Sequence, residues 1–143
     1  MGDRAAAARP VVLTSDIAIA LKADCAMDPD RERCGLVGGR GGVGVTLYPI
    51  ANAAGDPVRS FLLDARGQIE ALRRMREHGE SLYAIYHSHP TTAAEPSARD
   101  LAEAAYPEAA FLIVSLAADV PDLRAYRWCG EGFEAAPLVT PAR

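Results

Sequence analysis

A chain of 143 residues has room for one ordinary domain, and at 50% hydrophobic and 24% charged it can bury a core of its own. A formal net charge of −4 has the wrong sign for a general binder of nucleic acid or of anionic membrane surfaces. The cysteines, Cys25, Cys34 and Cys129, are widely spaced with no CxxC pair, which argues against a disulfide framework or a cysteine-rich zinc cluster and suits a reducing compartment. The N-terminal MGDRAAAARP lacks the apolar segment of a secretory signal, and the longest apolar run, Ala109 to Val114, is far too short to span a bilayer. The expected setting is soluble and cytoplasmic.

In chain order, residues 1–10 read as a flexible arm and 11–143 as one domain. Val11 to Leu13 is a short strand, and Ser15 caps a helix carrying Ile17, Ala20, Leu21 and Ala23, which ends before the turn Asp28-Pro29-Asp30. Cys34 to Gly39 and Val43 to Ile50 form two strands, with Gly38, Gly39, Gly41 and Gly42 suiting a hairpin turn of positive φ. A loop at Asp56-Pro57 precedes a strand from Arg59 to Leu63. Asp64 caps a helix with Ile69, Leu72, Met75 and Arg76 at helical spacing and Gly79 as terminator, with His78 at its C-terminal end. The apolar strand Leu82 to Tyr86 runs directly into His87-Ser88-His89-Pro90. A helix beginning at Ser97 and strands at Ala110–Leu116, Asp122–Trp128 and Phe133–Val139 complete a mixed α/β pattern around one sheet system.

The informative stretch is HSHPTTAAEPSARD, from His87 to Asp100. Residues i and i+2 of a strand share a face, so His87 and His89 present two imidazoles about 7 Å apart at the backbone. Asp100, in the first turn of the next helix, can add a carboxylate. Three N/O ligands are one short of a closed tetrahedral zinc site, and a fourth position held by water marks a catalytic zinc. Blander readings stand beside this one. Histidine pairs occur at strand ends without metal, and Ser97-Ala98-Arg99-Asp100 is also a capping box whose side chains satisfy backbone N–H groups. Glu32 lies in a charged run that reads as a solvated loop, and spacing alone does not prefer it to Asp30 or Glu95. Cys34 reads as a small buried hydrophobe, with a regulatory role left open. The glycine-rich GGRGGVG lacks the lysine and helix start of a phosphate loop.

The order His87-x-His89, seven residues, Ser97-x-x-Asp100 resembles the H-x-H-x(7)-S-x-x-D signature of the JAMM (Mov34/MPN/PAD-1) metalloproteases. Upstream, Glu32-Arg33-Cys34-Gly35-Leu36-Val37-Gly38 is similar to that family's glutamate-bearing strand. The resemblance implies a single MPN (JAB/MPN-like, cytidine-deaminase-like) domain, a mixed, curved β-sheet flanked by helices. It implies that His87, His89 and Asp100 bind one Zn2+ per chain, with water as fourth ligand. Glu32 would be the general base and Ser97 a hydrogen-bond donor to the oxyanion. Phe61-Leu62-Leu63-Asp64 and the Ile85–His89 strand look most like the small stand-alone bacterial members. Those act on ubiquitin-like sulfur-carrier proteins, cleaving after the C-terminal Gly-Gly to remove a cysteine adduct or short tail. The carrier is therefore the expected partner, with no nucleic acid and no membrane. A non-catalytic MPN scaffold and a metallopeptidase on another peptide substrate are the alternatives.

Overall fold

The computed structural model describes residues 8–98, 100 and 106–141. Strand β1 (Val11–Val12) leads into helix α1 (Ser15–Ala26), and β2 (Cys34–Arg40) with β3 (Val43–Ile50) makes a hairpin. Helix α2 (Ala65–Glu77) precedes β4 (Ser81–His89), and β5 (Ala110–Ser115), β6 (Asp122–Trp128), β7 (Phe133–Ala136) and β8 (Leu138–Val139) follow. Six strands form a mixed sheet in the order β3-β2-β4-β5-β6-β7, while β1 and β8 pair separately as a parallel two-stranded ribbon. Every neighbouring pair of the large sheet is antiparallel except β4 and β5. A parallel pair needs a long crossover, and here it spans residues 90–109, starting at the end of β4 where the two histidines sit. The mixed α/β class expected from the sequence is the one observed.

Strand alternation splits the core in two. On one face Cys34, Leu36, Ile85, Phe111 and Ile113 pack against Ala71 and Met75 of α2. On the other, Val37, Ala84, Tyr86, Leu112 and Val114 pack against Ala18, Leu21 and Cys25 of α1 and against Val11 of the ribbon. His87 and His89 point to the α2 side, being in phase with Ile85, and Tyr86 and Ser88 to the α1 side. The β2–β3 hairpin closes on Gly41 (φ 58°) and Gly42 (φ 79°), the two positive φ values that a two-residue I′-type turn requires. Gly38 and Gly39 belong to β2 and not to the turn. A side chain at Gly38 would collide with the Glu80 carboxylate, which is why that strand position is bare.

Several local expectations are corrected. Thr14 and not Ser15 caps α1, its side chain accepting from the Ile17 N–H. Residues 59–63 are not a strand: only Leu63 bridges back, to Asn52. The Ser60 and Leu62 backbone groups bond the Asn52 side chain, and the Ser60 N–H bonds the Asp56 carbonyl. Asp64 does cap α2, and Gly79 ends it at φ 69°. The helix buries Ala71 and Met75 with Leu72 beside them, and Ile69 faces solvent. The last expected strand is broken at Pro137, which lacks a ladder N–H, so that β7 joins the large sheet and β8 the ribbon. The helix expected from Ser97 is helical at Ala98 and Asp100, and its continuation lies outside the described residues. Of the expected arm, residues 1–7 also lie outside them, and the carbonyls of Arg9 and Pro10 accept from the Arg127 guanidinium.

Candidate active site

The last rungs of the β2–β4 ladder build the site. Cys34 pairs with His87. One residue outward, the Ser88 N–H donates to the Arg33 carbonyl at 2.9 Å, and the Arg33 N–H donates to Ser88 Oγ at 2.9 Å. The next residue outward is Glu32, whose charge is near enough to act on His89. Glu32, read from the sequence as equally a solvated loop residue, is only 5% exposed.

His87, His89 and Asp100 are brought together, each at most 4% exposed. The two Nε2 atoms lie 3.0 Å apart. Asp100 Oδ1 is 3.2 Å from His87 Nε2, and Oδ2 is 3.1 Å from His89 Nε2. The rings are oriented differently. His89 Nδ1 is hydrogen-bonded to the Ala93 carbonyl at 2.7 Å, which makes Nδ1 the protonated nitrogen and leaves the Nε2 lone pair facing inward. His87 is held by packing: its ring stacks on Phe61 with centroids 4.4 Å apart and lies 5.2 Å from Phe111, while Nδ1 has no hydrogen-bond partner among the described residues.

Four potential ligand atoms, two imidazole nitrogens and two carboxylate oxygens, thus converge at a buried site. Two imidazole nitrogens 3.0 Å apart cannot each aim a proton at the other, so their lone pairs need a shared cation or proton. Zinc with ligand bonds of 2.0–2.1 Å in tetrahedral array would set its ligand atoms roughly 3.3 Å apart. The two imidazole nitrogens are near that span, each lies at a similar distance from one Asp100 oxygen, and one ligand atom from each residue falls within 4.8 Å of the others, an N,N,O donor set that zinc accepts. Among the described residues this is the group of His, Cys, Asp and Glu side chains arranged to hold a metal.

The electrostatics follow from burial and neighbours. Burial pushes the His87 pKa below its ordinary value, more than the Asp100 carboxylate raises it. Burial opposes charge on His89 as well, but Asp100, the Ala93 carbonyl and the nearby Glu32 charge outweigh it and raise the pKa. Asp100 is held far below the usual carboxylate range: the imidazoles and the Ser97 N–H overcome its own burial. The site is built for an ionised Asp100 facing a positive charge.

Ser97 and Asp100 form the reciprocal capping pair that the S-x-x-D spacing allows, Asp100 Oδ2 accepting from the Ser97 N–H at 2.9 Å and Ser97 Oγ from the Asp100 N–H at 3.1 Å. Capping and metal ligation are compatible, because the same carboxylate has lone pairs for both. Cys34 is a packing residue: its thiol donates to the Ile50 carbonyl, and burial pushes its pKa up to about 12. Two residues that the sequence reading did not connect to the site belong beside it. Phe61 is the stacking partner of His87, and Asn52 Nδ2 donates to the Glu32 carbonyl at 2.9 Å. The one signal near Asn52 was the loop read at Asp56-Pro57, and nothing in it pointed at Glu32. Beside Glu32 opens a cleft of about 420 Å³ lined by Asp28, Arg31, Arg33, Pro49 and Asn52 among others.

Known proteins share this architecture. The family described as prokaryotic homologs of the JAB domain matches residues 14–129. The chain is 32% identical over 110 residues to a desampylase of Haloferax volcanii, covering 74% of this chain and 76% of that protein. It is 33% identical over 107 residues to the CysO-cysteine peptidase of Mycobacterium tuberculosis, covering 73% of each. A solution structure of a protein from Desulfitobacterium hafniense superposes with a TM-score of 0.81 at 31% identity, over 92% of this chain and 93% of that one. The chain therefore belongs to a family: it is a prokaryotic JAB-domain protein and a hydrolase of that peptidase type.

Proposed function

We propose that this chain is a zinc-dependent, cytoplasmic hydrolase that cleaves the amide bond after the C-terminal Gly-Gly of a ubiquitin-like sulfur-carrier protein, releasing a cysteine or a short tail. The observation that carries it is the convergence of His87 Nε2, His89 Nε2 and Asp100, with the buried Glu32 close enough for its charge to act on His89. A zinc ion held by His87, His89 and Asp100 would supply Lewis acidity and bring the pKa of bound water to about 7. The protein's residues do the rest. Glu32 accepts the proton of the attacking water as its oxygen bonds to the scissile carbonyl carbon. It then returns that proton to the leaving amine as the C–N bond breaks. Ser97 Oγ accepts from the Asp100 N–H, so its own O–H is left to donate to the carbonyl oxygen as negative charge builds there. Asp100, kept ionised, holds the two imidazoles in register.

The similarity to a protein named for a CysO-cysteine bond supports a carrier joined to a single amino acid. Such a tail would enter extended, with glycines where the passage leaves no room for side chains. The test pairs metal analysis with hydrolysis. The purified protein should hold about one zinc per chain, release cysteine from a bacterial carrier ending Gly-Gly-Cys, and lose both properties in a chelator or as His89→Ala. Protein free of zinc that gains nothing from added zinc refutes the metal. Turnover of unrelated peptides with none of the carrier refutes the substrate.

A further inference from the structure

Glu32 lies two residues beyond Cys34, whose pairing with His87 is the last rung of the β2–β4 ladder, so the ladder does not hold its peptide group. Something else does. Its N–H donates to the Pro57 carbonyl at 2.7 Å, and its carbonyl accepts from Asn52 Nδ2 at 2.9 Å. Both partners come from the segment between β3 and α2. The Asn52 amide is saturated: Nδ2 also donates to the Ser60 carbonyl at 3.0 Å, and Oδ1 accepts from the N–H groups of Ala54 and Leu62, each at 3.0 Å. An amide has two donor hydrogens and two acceptor lone pairs, and here all four are used. Between Ser60 and Leu62 stands Phe61, whose ring stacks on His87.

We infer that Asn52 is a positioning residue, whose one side chain ties the Glu32 peptide to the loop carrying Phe61 and so fixes the backbone from which the carboxylate of the base projects. Its donor half faces Glu32 and Ser60, and its acceptor half shapes the loop. Asp at this position would keep the acceptor half and set a carboxylate against two carbonyls, and Ala would lose both halves. The fold survives either change. The loop keeps backbone hydrogen bonds from Ala53 to Leu62 at 2.7 Å and from Asp64 to Ala51 at 3.0 Å. Asn52 touches no reacting atom, so its effect runs through the geometry of Glu32. The kinetic half of this inference rests on Glu32 acting as the base proposed above.

The test uses Asn52→Ala and Asn52→Asp in the full-length, zinc-loaded chain. With the Gly-Gly-Cys carrier, kcat should fall about 10- to 100-fold with KM within about twofold, and bound zinc should be unchanged. In a Glu32→Gln background, single-turnover rates should show no further loss, because the group being positioned has already lost its function. A merely structural role would cost the same in both backgrounds, and that result overturns the inference. Amide hydrogen exchange gives a second readout that needs no activity. Asn52→Ala should speed exchange at Glu32, Ala54 and Leu62 by about tenfold or more while β4 stays protected, whereas Asn52→Asp should leave Leu62 slow and still lower kcat. Unchanged exchange at Glu32 in the alanine variant overturns the inference directly. If the wild type turns over no Gly-Gly carrier, the proposed function fails, and the exchange result still decides whether Asn52 fixes the Glu32 peptide.

Discussion

Replacing Gly35 by alanine puts a methyl group into the strand pair that carries the site. The new Cβ would lie 2.5 Å from Tyr86 Cε1, 2.6 Å from Tyr86 Cζ and 2.6 Å from the Tyr48 carbonyl oxygen. Each contact is short by about 1 Å of a comfortable van der Waals distance. Neither neighbour can give way cheaply. Tyr86 is fully buried and its hydroxyl donates to Asp24 Oδ2 at 2.8 Å, and the carbonyl belongs to β3, which pairs with β2 along the hairpin. Overpacking of this kind costs about 1–3 kcal/mol. A Tyr86 ring pushed off its aspartate adds a lost hydrogen bond to a buried charge, about 1.5–3 kcal/mol more. A total near 4 kcal/mol, at roughly 3 °C per kcal/mol for a chain of this size, lowers Tm by about 12 °C. Thermal unfolding followed by far-UV circular dichroism measures it, with Gly55→Ala as the control, since nothing lies within 4 Å of a Cβ there. A Gly35→Ala midpoint within about 2 °C of the wild type would show that β2 and β3 separate freely at this rung, and the steric argument would be refuted.

Glu32→Gln keeps the size of the side chain and removes its basicity, so kcat should fall by about 10²- to 10⁴-fold with zinc content unchanged by elemental analysis. Ser97→Ala should keep metal and show a smaller kinetic loss than Glu32→Gln, with about 1 kcal/mol of stability lost in denaturant titration because the Asp100 N–H loses its cap. Glu80 sets a pH dependence. Burial alone would raise its pKa, but hydrogen bonds from Thr46, Tyr48 and Arg40 outweigh that and hold it below the ordinary 4.5. The unfolded chain therefore binds the proton first as pH falls, so the stabilisation is complete above pH 4.5 and is lost as pH drops toward the lower folded value. The stability gap between wild type and Glu80→Gln, measured by urea titration, should accordingly narrow between neutral and strongly acid pH. A gap that widens would mean the sign is wrong.

The juxtaposition of His87, His89 and Asp100 was legible because it depends on local periodicity. A two-residue strand repeat puts His87 and His89 on one face whatever the rest of the chain does, and the S-x-x-D spacing places Asp100 in a first helical turn. The helix that Asp64 begins and the hairpin at Gly41-Gly42 were equally readable, since a cap and a positive φ are decided by the residues that adopt them. Residues 59–63 misled for the opposite reason. Their apolar content suits a strand, but the Asn52 side chain, 8 and 10 positions away, bonds the backbone of Ser60 and Leu62 in place of a strand partner.

By itself, then, the chain determined which elements form and which side chains share a face, because those follow from backbone geometry within a few residues. Tertiary structure decided what those side chains meet. Glu32 could be told from Asp30 and Glu95 only by resemblance or by position, because its burial depends on β2 reaching β4 and on a loop that folds back over it. The bare position at Gly38 had no turn to explain it: the reason is a Glu80 carboxylate delivered from 42 residues away. The stacking of Phe61 on His87 and the four-way bonding of Asn52 likewise join segments that no local pattern connects. Contacts of this sort depend on burial and on the register between distant strands, and those quantities exist only once the sheet has closed on both helices.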